Sequence, residues 1–214
     1  MNKAKGSIDW ESIKENIFLH LVNYEKNKVN LEEKVYIPFL DLAILFYCGH
    51  EEADFNGFYV KKKHLLAWNQ DINDLFRIAQ VNTFQENNIV VVSVLDVLTH
   101  DDLFMSLCEK DKEEDDSELM MMLTNKELSY GAAMLTNTDA LKKLADQLNS
   151  SLYLLPSSVH EIFAVCPDSA TNIQKLVDMV KEANSQFIPS DIYLSDHVYY
   201  FDRDKCEVEI ASPA

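Results

Sequence analysis

Apolar residues recur at three- and four-residue steps near the start of the chain: Trp10, Ile13, Ile17, Leu21 and Tyr24. That spacing places them on one face of a helix, with Asp9 as its N-cap and Ile8 stapled against Ile13. Polar residues 27–34 end it. Residues 35–48, VYIPFLDLAILFYC, are rich in β-branched and aromatic side chains and predict one buried strand that begins after Pro38. An acidic turn region follows, and GFYVK at 57–61 predicts a returning strand. Asp71 predicts a second helix cap, with Leu75, Ile78, Ala79 and Asn82 sharing one side.

The same alternation continues. IVVVSV at 89–94 reads either as a strand or as the entry to a helix capped by Ser93, and a short extended entry followed by a helix using Leu95 and Leu98 is favoured. MMMLTN (120–125) and YGAAML (130–135) predict two strands, with Gly131 marking a bulge or a close backbone approach. Leu141, Leu144, Ala145 and Leu148 line a helix capped near Asn137 or Thr138 and stopped at Asn149. LYLL, PSS and HEIFAVC (152–166) predict a hairpin. A helix capped by Ser169 then turns Ile173, Leu176, Val177, Val180 and Ala183 inward. IYL, HVYYF and EVEI (192–210) predict closing strands. Hairpins expose an apolar face that helices can cover. The predicted class is therefore α+β, antiparallel β-hairpins alternating with amphipathic helices that cover one sheet face.

Charge sharpens the organisation. Asp and Glu number 36 against 19 Lys and Arg, a formal net charge of −17. Such a surface repels nucleic-acid backbones and anionic lipid, and favours a protein partner with a basic surface. In EKDKEEDDSE (109–118) seven of ten residues are acidic and no apolar period exists, so this run reads as a linker between residues 1–108 and 119–214. Whether the two halves pack as one domain is open. Four scattered cysteines, with no C-x-x-C pair, fit neither a zinc site nor a disulfide scaffold. The N-terminal residues lack a signal-peptide core, and no apolar run reaches the roughly 20 residues of a membrane helix. The expected address is cytoplasmic, with no membrane partner. Four glycines, at 6, 49, 57 and 131, write no phosphate-cradling loop, and no cofactor is expected.

The candidate chemistry is thin. Ser157, Ser158, His160 and Glu161 gather at one turn, where a serine nucleophile with His160 as base would make a hydrolase. No G-x-S-x-G elbow is present. Ser195, Asp196 and His197 spell a triad consecutively, which is not triad geometry, and they read as a turn. The histidines make no metal motif; His50 with Glu51, Glu52 and Asp54 reads as a solvated acidic loop. Tyr199 and Tyr200 face opposite ways, so one belongs to the core and the other to a contact surface. Glu113, Glu114, Asp115, Asp116 and Tyr200 are the partner-binding candidates.

Six motifs carry a resemblance: NYEKNK (23–28), PFLDLAILFYC (38–48), HLLAW (64–68), LTNKELSYGAAML (123–135), LYLLPSSVHEI (152–162) and LSDHVYYFDR (194–203). In this order they resemble a bacterial domain family of unknown function, common in anaerobic gut Gram-positive bacteria. The resemblance implies that family members usually carry an additional N-terminal region ahead of the helix expected from Asp9. The resemblance implies no activity. The residues support a non-catalytic interaction or regulatory domain first. An acidic inhibitor that mimics nucleic acid, as in anti-CRISPR or anti-restriction proteins, comes second, and a hydrolase third.

Overall fold

The computed structural model describes residues 9–49, 57–94, 120–156, 158–167 and 171–211. The chain divides into two compact units, Met1–Asn88 and Ile89–Ala214. Each holds one open sheet whose strand pairs are antiparallel, so the class is α+β.

The first unit opens with a correction. Helix α1 covers only Trp10–Ile13 and leads through a 3-10 turn, Lys14–Asn16, into strand β1, Ile17–Asn23. The helix expected from Trp10 to Tyr24 is therefore mostly a strand. Ile17, Leu19, His20, Leu21 and Val22 are all buried, which uses both faces of the ribbon. A run apolar at nearly every position satisfies a helical period by accident, and pairing along the whole of strand β3, Leu42–Cys48, decides the outcome. The polar residues expected to end that helix instead form helix α2, Tyr24–Leu31. The Asn23 side chain caps it by accepting from the Lys26 amide at 2.9 Å.

The single strand expected over 35–48 is a hairpin. Strand β2, Tyr36–Phe39, turns through Leu40 and Asp41 into β3. Leu40 sits at φ 55°, left-handed backbone that a bulky residue adopts only under strain, and nothing in the local sequence announces it. Pro38 is exposed on the outer strand, where its missing N–H costs no ladder bond. Strand β4, Phe58–Tyr59, returns beside the far end of β3 as expected.

Two helices complete the unit. Helix α3, Lys62–Trp68, is short and was not foreseen. Helix α4, Ile72–Thr83, matches the expectation: Asp71 accepts from the Asn73 and Asp74 amides, and Leu75, Ala79 and Asn82 are buried. Asn82 donates to the carbonyls of Lys14 and Ile17 at 2.8 and 2.9 Å, and the Thr83 hydroxyl accepts from the Leu19 amide at 2.8 Å. These bonds tie α4 to the start of β1.

Among the described residues the second unit forms a six-stranded sheet of β5 (Ile89–Ser93), β6 (Met120–Asn125), β7 (Leu152–Pro156), β8 (Ile162–Val165), β9 (Tyr199–Asp202) and β10 (Glu207–Ile210), in the order β10-β9-β7-β8-β6-β5. Strand β5, Ile89–Ser93, pairs with β6, Met120–Asn125. The acidic run at 109–118 and the helix expected around Leu95 and Leu98 lie outside the described residues. YGAAML is not a strand: Gly131–Thr136 forms a 3-10 helix. A Cβ on Gly131 would stand 2.2 Å from Thr124 Oγ1 and 2.5 Å from the His160 carbonyl, so the expected close approach is real while the strand is not.

Helix α5, Thr138–Gln147, is capped by Asn137, and β7, Leu152–Pro156, pairs with β8, Ile162–Val165, as the foreseen hairpin. Helix α6, Ile173–Phe187, is capped by Asn172, which accepts from the Gln174 and Lys175 amides; the expected cap, Ser169, lies outside the described residues. Its Ile173, Leu176, Val177 and Val180 pack on Tyr153, Leu155, Phe163 and Val165. Leu152, Leu154, Ile162 and Ala164, of opposite parity, are buried on the other face. Strands β9, Tyr199–Asp202, and β10, Glu207–Ile210, close the sheet, whereas residues 192–194 contribute only an isolated bridge from Tyr193 to Ser158. Tyr199 is fully buried and Tyr200 is half-buried, as the alternation required.

Candidate functional site

Two places concentrate side-chain chemistry, one in each unit. In the second unit, the turn after β7 brings Ser158, His160 and Glu161 together but does not join the serine to the imidazole. Ser158 is 2% exposed. Its Oγ donates to Glu161 at 2.9 Å and accepts from the His160 backbone N–H at 3.0 Å. The His160 ring is turned elsewhere: Nδ1 accepts from the Tyr130 amide at 3.2 Å, which leaves the proton of the neutral ring on Nε2. The His160 carbonyl accepts from the Thr124 hydroxyl at 2.8 Å, and Val159 bonds to Ile192 and Ala132 through the backbone. Four chain segments thus interlock around this turn. Ser157 lies outside the described residues.

The other sequence candidates fall as follows. The Ser195 hydroxyl accepts from the His197 amide at 3.0 Å, the side-chain-to-backbone bond of a turn, and also lies 3.3 Å from Nδ1 of the His197 ring. Asn184 reaches up from α6 and donates to the Ser195 carbonyl and the Asp196 carboxylate, both at 2.9 Å. Tyr200 packs against Tyr153, ring centroids 5.4 Å apart. Glu113, Glu114, Asp115 and Asp116 lie outside the described residues, as do His50, Glu51, Glu52 and Asp54. Among the described residues no group of three or more His, Cys, Asp or Glu could hold a metal ion.

In the first unit, chemistry gathers around α3. Its turns carry Leu65, Leu66, Ala67 and Trp68, yet none of its residues is fully buried, and Leu66 is 83% exposed. Aromatic rings run along it: Phe58 to His64 at 5.1 Å, His64 to Trp68 at 5.3 Å, and Trp68 to Trp10 at 5.6 Å. His64 Nδ1 accepts from the Lys61 amide at 3.2 Å and helps close the helix start. Partial burial, then the charges of Lys63 and Lys61, push this ring below the usual imidazole range.

Lysines surround the helix. Lys61, Lys62 and Lys63 are consecutive, and the bridge between Lys34 and Lys61 brings in a fourth. Lys61 pairs with Glu33 at 2.8 Å, and Lys62 donates to the Glu32 carbonyl at 2.8 Å. Lys34 stands 4.5 Å over the Tyr59 ring, and among the described residues no carboxylate pairs with it. Burial, and secondarily Lys61, hold its ammonium below the ordinary lysine value. Tyr59 in turn bonds to Nδ1 of the buried His20 at 3.2 Å, and His20 stacks on Tyr47 at 4.8 Å. Beside α3 opens a groove of about 390 Å³ whose lining includes Val35, Leu65, Leu66 and Ile72, with Lys34 and Lys62 among its charged groups.

A family model described as "Family of unknown function (DUF5688)" matches residues 2–203. The chain belongs to DUF5688. No curated protein and no solved structure matches this DUF5688 chain. Among the described residues, none of its helices is long and apolar enough to cross a membrane.

The lysine site was missed in the sequence because Lys34 and Lys61 are brought together only by strand pairing. The run KKK at 61–63, in a chain of net charge −17, was the signal that could have found it.

Proposed function

We propose that this DUF5688 chain is a non-catalytic protein-interaction domain whose contact face is α3 and the groove beside it. One observation carries the reading: a helix with four consecutive apolar residues buries none of them fully. Isolated exposed leucines are ordinary, but an apolar helix face next to a groove marks a surface that another molecule covers. The interlocked turn at Ser158 supports the same reading, because its hydroxyl is buried and held on Glu161 and a backbone amide. Free thiols at Cys48, Cys166 and Cys206 support a cytoplasmic address.

The test is a photo-crosslinking residue placed at Leu66, with a second at Phe187, 73% exposed in the other unit, as control. Discrete covalent adducts from position 66 and none from 187 are expected in intact cells. Equal yields at the two positions, or none at 66, would overturn the proposal.

The placement of charge favours a second reading. Residues 89–214 hold nine Lys and Arg and twenty-three Asp and Glu, a net of −14. An acidic unit of this kind could occupy the basic channel of a nuclease, with binding that weakens steeply as salt is added.

A further inference from the structure

We propose that the groove beside α3 receives an acidic amphipathic segment of a partner protein, apolar anchors entering between Val35, Leu65, Leu66 and Ile72 and carboxylates meeting Lys34 and Lys62. This deepens the interaction-domain reading and rests on it.

Charge complementarity selects the occupant. The first unit is close to balance, with ten Lys and Arg against thirteen Asp and Glu. Four of those ten cations, Lys34, Lys61, Lys62 and Lys63, cluster at this one place. Two acids share this place, Glu32 and Glu33, and Glu33 already pairs with Lys61 at 2.8 Å, which leaves a local surplus of positive charge. At physiological salt the screening length is about 8 Å, so acids farther off on the chain count for little. Lys34 is the focal group, partly desolvated over Tyr59 and without a carboxylate among the described residues. A carboxylate brought to it gains a charge-assisted hydrogen bond without first breaking an ion pair.

A second groove in the first unit, its lining including Lys14, Arg77, Ile78 and Val81, gives a contrast. Its volume is also about 390 Å³. Its cations are already paired, Lys14 with Glu11 and Arg77 with Asp74. It offers an apolar surface but no unpaired cation among the described residues, so of these two grooves the one beside α3 is the one suited to acids. An anionic membrane would meet the same lysines, but the net charge of −17 opposes approach to a continuous negative sheet. A single short segment can enter between the repelling surfaces.

The chain supplies its own reporter, since of its two tryptophans Trp68 belongs to α3 and Trp10 packs against it, the rings tilted by 38° with centroids 5.6 Å apart. The full chain is titrated with a synthetic amphipathic helix bearing Leu on one face and Glu on the other, and tryptophan fluorescence is followed. A saturable change is expected. It should weaken with added salt and by about tenfold in Lys34→Glu/Lys62→Glu. A matched peptide with Lys in place of Glu should give no change, and neither should vesicles rich in anionic lipid. Lys34→Gln/Lys62→Gln, which removes charge without reversing it, guards against misfolding and should show an intermediate loss while its far-UV spectrum is unchanged. Equal binding of the two peptides, indifference to both double variants, or a response to vesicles alone overturns the acidic-segment proposal. Adducts at Leu66 alongside a failed peptide titration would leave the interaction domain standing and remove only its choice of partner.

Discussion

The two units solve the same packing problem with opposite electrostatics. Both set helices against an antiparallel sheet, yet the first carries a net charge of −3 and the second −14. In the first, the two long strands β1 and β3 are buried on both faces, and the chemistry sits outside them on a small helix with no buried residue. In the second, β8 and β9 alternate strictly between buried and half-buried positions, and the polar side chains at the turns bond to one another and to the backbone. Polar groups therefore do partly different work in each. In the second unit they satisfy the chain itself; in the first Asn82, Thr83 and Lys61 do the same, while Lys34 is left over a ring with no carboxylate among the described residues.

The largest effect that could break this contrast is at Gly131. A side chain there meets the His160 carbonyl and Thr124, backbone and β6 side chain that cannot swing away. Gly131→Val should cost about 4 kcal/mol, above ordinary overpacking, and lower the urea midpoint of the second unit followed by far-UV circular dichroism. An unchanged midpoint would mean the interlocked turn is not tight.

Next in size is Leu75→Ala. Leu75 is fully buried on α4, and its truncation should destabilise the first unit by about 3 kcal/mol. Both tryptophans lie in that unit, so fluorescence should report the loss while amide exchange protection in β7 to β9 stays as it was. Loss of protection in both would show one cooperative body in place of two.

The smallest effect concerns the Cys48 thiol, fully buried in β3 and pushed up to about 11 by that burial. Folding raises this pKa, so its contribution to stability is complete below the unfolded value, near about 9, and is lost as pH rises through about 11. Cys206 should react with a maleimide before Cys48 at neutral pH. The fluorescence-monitored Tm should fall from pH 9 to 11 in the parent, and less steeply in Cys48→Val.

Elements whose apolar residues follow one period were legible. Helices α4, α5 and α6 and the β7–β8 hairpin needed only their spacing and flanking polar residues, since one face of each is buried and the other wet. The failures came where that asymmetry was missing. β1 is apolar on both faces, so its residues fit a helix as well as a strand until β3 claims them. The Leu40–Asp41 turn carries neither Gly nor Asn, and tertiary packing holds Leu40 in a conformation its side chain disfavours. At Gly131 the sequence offers a bulge or a close approach; the structure has the close approach, within a 3-10 coil in place of the expected strand. Of the site, Leu65, Leu66 and Trp68 were visible as a motif, whereas the meeting of Lys34 with Lys61 exists only in the folded sheet.

The outer strands of the two sheets are guarded unequally. β2 carries Pro38 within its ladder, and β10 lines its border with exposed Glu207 and Glu209, both devices that discourage a stray chain from adding itself. β5, at the opposite border from β10, reads Ile-Val-Val-Val-Ser, with neither a charge nor a proline to interrupt it. During synthesis or on heating, misassembly between copies would begin at that uncharged ribbon, and a lysine introduced into it would act as gatekeeper.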